Sequence, residues 1–416
     1  MAELHFGYSE ALINPPQALP LEGYKHREEI GPGNSGILDD LKAKALSLRF
    51  GDERILVVTL DLCLMSVGLA DEIRSALSDR LELPVDYIVL ALSHTHSGPV
   101  TCSSWKGTDE TTDGGASVRD AIAGYLDFLK TTIYAISVES MSRQFECCVY
   151  TTTLRTHLGY NRRYGEPEAG GEVRMVFNLW ENVGTFPDRL IDPDIPIVLL
   201  ERRPDAELDS FMRPVGQLRT VLFNPAYHPV VLGHHSRFVS ADYPGEACRS
   251  IEDALGAGTK AMCLLGACGN THPWISVQQN PKAVEVVGRA VGYSVAAALA
   301  RRERLRVDGI AAVQDTVDNE NAASDRAVVQ VIRLGELAFA CISAECFTEI
   351  GLWLKDASPF EQTLVVSNAN GCIGYLPTAE AFAEGGYEIQ TLKSNRQGFL
   401  EKVRDVLKAH LAAVGG

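Results

Sequence analysis

Apolar and polar positions alternate along the chain in the order that is typical of an α/β protein. Ile55 to Leu60 and Tyr87 to Leu92 are apolar runs, which predict two buried strands. Between them, Leu69 to Leu81 has the spacing of an amphipathic helix, with Asp71 and Glu72 in its predicted first turn. Strand, helix and strand in this order predict a βαβ unit.

The same criteria predict the remaining elements. Apolar runs predict strands over Gln144 to Thr153, Val173 to Trp180, Ile195 to Leu200, Leu218 to Phe223, Met262 to Leu265, Gly309 to Thr316, Ala327 to Leu334, Leu337 to Ile342 and Leu364 to Ser367. Longer periodic stretches predict helices over Val118 to Glu139, Lys282 to Arg302 and Gln397 to Ala413. Residues 1 to 36 are rich in Pro and Gly and predict an extended, turn-rich lead-in. No repeat or linker interrupts the pattern, so we predict one integrated α/β domain over residues 1–416, with mixed β-sheets flanked by helices.

Two histidines follow the second strand of the predicted βαβ unit. The chain continues as Ser93-His94-Thr95-His96-Ser97-Gly98-Pro99, and in an extended chain His94 and His96 point to the same face. Two histidines at this spacing also occur in ordinary loops. The Ser and Thr residues and the Gly-Pro turn favour a metal site, because they supply hydrogen bonds and a sharp bend that orient ligands.

Three further apolar runs end in a polar cluster. They bring His228 to a turn between two prolines, Glu345 to the end of a strand, and Tyr375 to a Gly-rich turn. Alone, each residue is more often structural. Together with His94 they supply two imidazoles, a carboxylate and a phenol, which are the N and O donors that Zn²⁺ takes. Fe or Mn occupies similar sites, so Zn²⁺ is inferred from ligand type only.

A fifth cluster lies in a Gly-rich turn after an apolar run, Leu264 to Trp274. Turn glycines let the backbone approach a substrate closely, so we predict that Gly269 and Asn270 bind substrate. His272 in the same turn is a candidate base, ligand or substrate contact. The alternative is a tight turn that carries a surface histidine.

Composition bounds the partners and the compartment. The formal net charge is −16 and no run of Lys and Arg forms a basic patch, which argues against nucleic acid or stable membrane association. The ten cysteines have no paired C-x-x-C spacing, which is typical of reduced, buried thiols. There is no signal-peptide pattern and no apolar run of about 18 residues. We expect a cytoplasmic protein that acts on a small-molecule substrate; the sequence does not predict its oligomeric state.

Short motifs spread over nearly the whole chain match a known family. They are Asn14-Pro15-Pro16, Leu21-Glu22-Gly23-Tyr24, Ser93 to Pro99, Asn161-Arg162, His228-Pro229, Ser240-Ala241-Asp242-Tyr243, Gly269 to Pro273, Glu345, and Tyr375 with Tyr387. With these motifs the chain resembles the neutral/alkaline (non-lysosomal) ceramidase family of zinc amidases, in its N-terminal catalytic domain only.

The resemblance implies roles for particular residues. The zinc ligands that it implies are His94, His228, Glu345 and Tyr375. The residues that it implies as contacts of the substrate or of the developing oxyanion are His96, Arg162 and Tyr387. In that role a fixed cation and a phenol stabilise charge that appears only as the carbonyl is attacked.

The Gly-rich turn departs from the family pattern. In the ceramidases an Asp stands at the position of Asn270 and a reactive Ser at the position of His272. We also expect no counterpart of the family's C-terminal immunoglobulin-like domain or of its secretion signal. We therefore predict a mechanism without the serine, and ceramide is a less expected substrate.

We predict a zinc-dependent hydrolase, amidohydrolase-like, that cleaves an amide or related carbonyl bond of a soluble metabolite by attack of metal-bound water. His272 or His96 is expected to carry the proton to the leaving group. Residues 103–115 and the segment from Arg163 to Gly171 are expected to shape the pocket. Two alternatives stay open, namely a metal-dependent isomerase or lyase on the same scaffold and a non-catalytic, metal-dependent binding protein.

Overall fold

A computed structural model describes residues 3–16, 19–24, 27, 33–101, 115–165, 171–182, 188–203, 218–322 and 325–415. In chain order, the strands of this part are β1 Leu4–Leu12, β2 Gly36–Ile37, β3 Lys42–Phe50, β4 Glu53–Leu60, β5 Ile88–Leu92, β6 Phe145–Arg155, β7 Gly159–Asn161, β8 Arg163–Tyr164, β9 Arg174–Met175, β10 Asp194–Arg202, β11 Arg219–Phe223, β12 Phe238–Val239, β13 Thr259–Cys263, β14 Thr271–Pro273, β15 Glu303–Leu305, β16 Ile310–Asp318, β17 Arg326–Leu334, β18 Leu337–Ile342, β19 Glu345–Cys346, β20 Gln362–Val366 and β21 Tyr375–Leu376. Its α-helices are α1 Val67–Leu81, α2 Gly115–Ser142, α3 Asp242–Leu255, α4 Lys282–Ala298, α5 Thr348–Ala357, α6 Ala379–Glu384, α7 Tyr387–Gln390 and α8 Phe399–Gly415. Short 3₁₀ helices cover Val85–Tyr87, Leu179–Asn182 and Leu299–Arg301.

The predicted βαβ unit is confirmed, because β4 and β5 pair in parallel and α1 connects them. Ser66 caps the helix: its side chain accepts a hydrogen bond from the Leu69 backbone N–H at 3.2 Å. The helix therefore begins two residues before the predicted start. Asp71 and Glu72 consequently lie beyond its first turn, so the predicted N-terminal charge interaction is wrong.

Nine of the described strands form one mixed sheet. Eight of them follow the order β13-β11-β10-β6-β1-β3-β4-β5, and β15 pairs with β6 beside this path. A second sheet has the order β16-β17-β18-β20. Residues 368–370 join the two sheets at the edge of β5, since Leu92 donates to the Asn368 carbonyl at 3.2 Å and Asn370 donates to the Leu90 carbonyl at 2.7 Å.

The two sheets pack face to face between two layers of helices. Side chains such as Val57, Val198 and Phe339 fill the space between the sheets. The outer face of the larger sheet packs against α1 and α2 on one part and α3 and α4 on another. The outer face of the smaller sheet packs against α5 and α8. Because both faces of each sheet are covered, the central strands are continuously apolar rather than alternating.

This layered α/β architecture confirms the predicted fold class, with mixed sheets flanked by helices. Most predicted strands and helices lie within a few residues of the observed ones. The prediction of one integrated domain over the whole chain stays a prediction. Nine cysteines of the described part are free, and seven of them are buried.

One predicted strand is wrong. Of Val173 to Trp180, only Arg174–Met175 is a strand, and Leu179–Asn182 forms a 3₁₀ helix. The apolar residues of this segment bridge separate elements instead of forming a ladder: Val173 donates to Glu384 and Val176 to Arg162, both through the backbone. The predicted loop at 103–115 lies outside the described residues up to residue 114, and residue 115 already begins α2.

One stretch of the described chain, Lys282–Arg301, is long and apolar enough to cross a membrane by length and composition. It contains α4, which packs against α3 through the buried glycines Gly288 and Gly292. A Cβ at Gly292 would lie 2.5 Å from the Ala247 carbonyl oxygen, so the two helices touch closely. An apolar composition is also what a packed core helix requires.

The packing between the sheets gives a first prediction. Replacing the buried Phe339 with Ala should lower the free energy of unfolding by about 3–5 kcal/mol, because it leaves a cavity between the two sheets. Urea unfolding of the variant measures this. The exposed Thr316 on β16 is the control, and Thr316→Ala should change stability by less than about 0.5 kcal/mol. Equal effects of the two substitutions would contradict the layered core.

Candidate metal centre and active site

Three side chains from distant parts of the chain meet at one buried point. The Nε2 atoms of His94 and His228 are 3.2 Å apart. Oε2 of Glu345 lies 3.3 Å from Nε2 of His94 and 3.4 Å from Nε2 of His228. The three residues are buried, and they form one of two groups in the described chain with the spacing of a metal site.

Backbone carbonyls fix both imidazole rings. Nδ1 of His94 lies 2.8 Å from the Cys63 carbonyl oxygen, and Nδ1 of His228 lies 2.6 Å from the Cys268 carbonyl oxygen. A carbonyl only accepts, so in each ring Nδ1 carries the donated proton. In the neutral rings the lone pairs of the Nε2 atoms are therefore directed at the meeting point, as in a metal-ligating histidine whose other nitrogen is held by the backbone.

The donor set carries a negative charge that suits a cation. Burial lowers the pKa of His228 to about 4, so this ring is neutral at pH 7. Burial works against ionisation of Glu345, but His94 and His228 hold the pKa of its carboxyl well below the usual range. Burial also opposes charge on His94, yet the Glu345 carboxylate raises the pKa of this ring. Without a cation, His94 and Glu345 therefore compete for a proton at the position that a metal would take.

The residues fit a small divalent ion. Ligands about 2.0–2.1 Å from a tetrahedral Zn²⁺ are about 3.3–3.4 Å from each other, close to the observed spacing. Oε2 of Glu345 is buried and has no hydrogen-bond partner, which is costly unless a cation binds it. Two imidazoles and one carboxylate are also donors that Zn²⁺ prefers.

His94 reaches the site through a strained turn at the end of β5. Its φ is +61°, in the left-handed region that a residue with a Cβ adopts at a cost of about 1–2 kcal/mol. The turn is held by the backbone N–H of His94, which donates to the Leu62 carbonyl at 2.9 Å. Residues whose strained backbone is held in place by surrounding hydrogen bonds are common at functional sites.

Two residues that the sequence analysis had not given a role position His228. Asp242, whose φ is +53°, accepts hydrogen bonds from the Val231 and Leu232 backbone N–H groups at 3.2 and 3.0 Å. The hydroxyl of Tyr243 donates to the Tyr227 carbonyl at 2.7 Å. These bonds hold the chain on both sides of His228. The motif Ser240 to Tyr243 was the available signal, since it carried part of the resemblance.

Glu345 and Tyr375 occupy neighbouring short strands, because β19 and β21 pair in parallel with these two residues opposite each other. The Gly-rich turn packs against this pair: a Cβ at Gly269 would lie 2.7 Å from the Glu345 carbonyl oxygen, so only glycine fits. The Tyr375 ring is 6.5 Å from the His228 ring. Tyr375 is therefore brought to the centre, while its role as fourth ligand stays a prediction.

Arg162 lies beside the centre with most of its donors bound inside the protein. Its Nε donates to Glu388 at 2.7 Å, its Nη1 to His272 at 2.8 Å, and its Nη2 to the Gly269 carbonyl and to the Tyr375 hydroxyl at 2.8 and 3.1 Å. Four hydrogen bonds leave little donor capacity for a substrate. Arg162 is thus built to orient Tyr375 and to supply positive charge.

A buried carboxylate that the sequence analysis missed anchors Arg162. Glu388 is fully buried, and its second oxygen accepts from Nη1 of Arg163 at 2.8 Å. Nη2 of Arg163 also pairs with Glu384 at 2.9 Å. A Glu in a short polar helix gives no sequence signal, because its partners lie more than 200 residues away along the chain.

His272 is close to the centre, but its bonds oppose the predicted role as a proton carrier. Its Nδ1 donates to the Phe177 carbonyl at 3.1 Å, and its Nε2 accepts from Arg162 at 2.8 Å. Burial and the Arg162 cation hold the pKa of His272 well below its ordinary value. A neutral ring with both nitrogens bonded in this way has no free base, so we correct its role to holding Arg162.

The predicted substrate contacts at Gly269 and Asn270 also find internal partners. The Gly269 N–H donates to the Cys346 carbonyl at 2.7 Å. The buried Asn270 side chain donates to Glu349 and accepts from the Thr348 backbone, both at 2.9 Å. These bonds stabilise the turn and use the groups that the prediction had offered to a substrate. The substrate-binding role is accordingly not supported by the geometry.

His96 and Tyr387 are the predicted catalytic residues that stay accessible. Nε2 of His96 lies 3.4 Å from Nε2 of His94. Burial and the neighbouring histidines hold the pKa of His96 well below its ordinary value, so the ring is a neutral base at pH 7. The Tyr387 ring stands 6.1 Å from the Tyr375 ring and is 36% exposed. Its hydroxyl has no hydrogen-bond partner among the residues that the structure describes.

Comparison with known proteins places the fold. No protein-family model matches the chain, and no curated protein sequence matches it. Among solved structures, neutral ceramidase from Pseudomonas aeruginosa is similar over 100% of this chain and 75% of its own, with a TM-score of 0.75 and 14% identity. A ceramidase complexed with C2 has a TM-score of 0.74 at the same identity and coverage. The predicted resemblance is confirmed as a neutral-ceramidase-like fold, while an identity of 14% leaves the chemistry to the site itself.

The meeting of three donors predicts the metal content. We expect about one zinc ion per purified chain, lost in His94→Ala and in Glu345→Gln because each removes one of the converging donors. Elemental analysis of the three proteins measures this. The exposed His157 is the control, and His157→Ala should keep the ion. Equal metal in all variants, or none in any protein, would contradict the site.

The bond between His272 and Arg162 gives a third prediction. His272→Leu leaves a buried guanidinium N–H without an acceptor, so the free energy of unfolding should fall by about 1–3 kcal/mol. His272→Gln keeps an acceptor and should cost less. Urea unfolding compares the variants at equal metal content. If Gln and Leu destabilise the protein equally, His272 does not serve as the acceptor for Arg162.

Proposed function

We propose that the protein is a metal-dependent hydrolase that cleaves an amide or related carbonyl bond of a small soluble metabolite. The observation that carries this proposal is the convergence of Nε2 of His94, Nε2 of His228 and Oε2 of Glu345 within 3.2–3.4 Å of one another. The buried Oε2 of Glu345 accepts no hydrogen bond and faces the two imidazole nitrogens, which supports a bound cation at this point.

The fold supports the class of reaction. The structures that share it are described as ceramidases, and ceramide contains an amide bond. The comparison at 14% identity supports amide hydrolysis without supporting ceramide as the substrate. A formal net charge of −16 without a basic run argues against nucleic acid or an anionic membrane as a partner. The free, mostly buried cysteines of the described part support our proposal of a cytoplasmic location.

His94, His228 and Glu345 would hold the ion, with Tyr375 as the proposed fourth ligand. The chemistry that Zn²⁺ supplies when bound is Lewis-acid catalysis, which polarises a carbonyl and lowers the pKa of a coordinated water. The donor atoms need no rearrangement for this, because backbone bonds already direct both rings. A preformed site lowers the cost of binding the ion.

His96 is the base that the geometry favours. It is neutral at pH 7, and its Nε2 is 3.4 Å from the nearest ligand nitrogen. A neutral imidazole at this position accepts a proton from an attacking water and returns it to the leaving amine. His272 is unsuited to this task, because Arg162 occupies its Nε2.

Tyr387 and Arg162 divide the stabilisation of the developing negative charge. The Tyr387 hydroxyl, which has no partner in the described part of the chain, is free to donate a hydrogen bond to an oxyanion. Arg162 lies with its Cζ 5.5 Å from the centroids of both the Tyr387 and the Tyr375 rings. From there it contributes positive charge, while its hydrogen bonds keep Tyr375 in place.

The nucleophile in this proposal is water. The turn residue at which the ceramidases carry a reactive serine is His272, which has no hydroxyl, and its neighbour Thr271 directs its own hydroxyl at the Ala226 carbonyl, 2.6 Å away. The two open alternatives, isomerisation or elimination at a polarised carbonyl and metal-dependent binding without turnover, differ from hydrolysis in the fate of water. Solvent oxygen therefore distinguishes the three.

The proposal is tested by turnover of a panel of amides and esters with the zinc-loaded protein in heavy-oxygen water. We expect one solvent oxygen in the acid product, loss of activity on chelation and recovery with Zn²⁺. His96→Ala should lower kcat by about 10²–10⁴-fold, because it removes a general base, while leaving the metal content unchanged. Product without solvent oxygen would favour isomerisation or elimination. Full activity after complete chelation would overturn the proposal.

A further inference from the structure

A second guanidinium beside the centre is bound very differently from Arg162. Arg27 is 3% exposed, and its Cζ lies 4.9 Å from the centroid of the Tyr24 ring. Its Nη1 donates to the Glu22 carbonyl at 2.9 Å, and its backbone N–H donates to the Tyr24 carbonyl at 3.3 Å. These contacts hold the side chain in one orientation.

One edge of this guanidinium has no partner. Nε and Nη2 of Arg27 are buried, and neither makes a hydrogen bond. No carboxylate of the described residues lies within ion-pair distance of Arg27. Nε and Nη2 are the two nitrogens that point along the same edge of an arginine, where their N–H groups form the fork that binds both oxygens of a carboxylate.

A buried cation with an empty edge is unfavourable. Desolvation lowers the pKa of Arg27 to about 10, with only partial compensation from its neighbours. Arg162 shows the contrast: it is equally buried, but Glu388 pairs with it at 2.7 Å and Arg163 shares the same carboxylate. An anion that reaches the free edge of Arg27 accepts the hydrogen bonds that Nε and Nη2 do not otherwise make. Its negative charge thereby removes the cost of the unpaired buried charge.

Arg27 stands on the His96 side of the metal centre. The Tyr24 ring, which packs on its guanidinium, meets the His96 ring edge to face with centroids 4.9 Å apart. Gly23 presses on the same imidazole, since a Cβ there would lie 2.5 Å from Cγ of His96. Arg162, in contrast, contacts His272 and Tyr375. The centre thus has two buried guanidinium groups near it, of which Arg162 pairs with a carboxylate and Arg27 pairs with none among the described residues.

We infer that the free edge of Arg27 binds a carboxylate of the substrate, so that the substrates are amides of small molecules that carry a carboxylate, such as N-acyl amino acids. This inference rests on the proposed hydrolase function, which identifies the centre as the place of reaction. The carboxylate would lie on the His96 side, and Arg162 would remain with Tyr375. Phosphate offers similar oxygens, and the test includes it for that reason.

The experiment measures binding by calorimetry to the zinc-loaded protein. The probes are N-acetylglycine, N-acetyl-β-alanine and N-acetyl-4-aminobutyrate, each beside its neutral primary amide, together with inorganic phosphate. For the acid whose length fits, we expect binding about tenfold to a hundredfold tighter than its amide, because the amide lacks the negative charge and one of the two acceptor oxygens. Arg27→Gln should abolish this preference, and Arg27→Lys should retain only part of it.

Two further variants serve as controls: one tests whether Arg27 is needed for folding, and the other tests whether the preference for the acid depends on an arginine at this position. Arg27→Met removes an uncompensated buried charge, so its melting temperature should equal or exceed that of the wild type; a structural role for Arg27 predicts a clear decrease. The matched control is Arg155→Gln, because Arg155 is exposed and already pairs with Asp194. It should keep the full preference for the acid.

The outcomes separate this inference from the proposed function. Equal binding of acids and amides, no binding of any acid, a preference that survives in Arg27→Gln, or Arg27-dependent binding of phosphate alone would overturn the inference. Turnover of neutral amides with no such preference would keep the hydrolase and remove the carboxylate. An Arg27-dependent preference without turnover of any probe would support the anion site and count against hydrolysis.

Discussion

The main constraint on the structure is that three electron-pair donor atoms, which repel one another, are held close together in a buried site. The Nε2 atoms of His94 and His228 and the Oε2 atom of Glu345 repel one another at 3.2–3.4 Å unless a proton or a metal ion lies between them. The carbonyls of Cys63 and Cys268 prevent the rings from turning away. The left-handed turn at His94 and the close approach of Gly269 follow from the same requirement, since both bring backbone to where it fixes a donor.

The two buried arginines near the metal centre differ in how far a carboxylate compensates their charge. Glu388 is shared by Arg162 and Arg163, so the cation nearest to Tyr375 is neutralised and its hydrogen bonds are nearly saturated. Such a buried pair adds little net stability, but it is costly to break, and it therefore fixes geometry. Arg27, which packs on Tyr24 beside His96, has no such counterion among the described residues. This difference between the two arginines is the basis of the inference that a carboxylate of the substrate binds beside Arg27.

His272 shows how long-range hydrogen bonds decide what a side chain can do. Its neutral ring accepts from Arg162 and donates to the Phe177 carbonyl, so a candidate base supports the guanidinium instead. In the proposed hydrolysis the nucleophile is therefore water, and His96, with its Nε2 3.4 Å from Nε2 of His94, is the proposed base.

The sequence by itself determined the α/β fold class, with mixed sheets flanked by helices, and it gave the candidate ligands. Strands such as β4 and β5 are buried on both faces, so continuous apolar runs in the sequence predicted them. His94, His228 and Glu345 each follow a strand, so the local sequence was enough to mark them as candidate ligands. Only the tertiary structure decided which donors are free. Glu388 pairs with Arg162 across 226 positions of sequence. His272 accepts a hydrogen bond from Arg162 across 110 positions, which occupies the nitrogen that a base would use. The free edge of Arg27 is recognised only because its Nε and Nη2 make no hydrogen bond in the folded protein. Hydrogen-bond satisfaction is a property of long-range contacts, and no local pattern of residues encodes it.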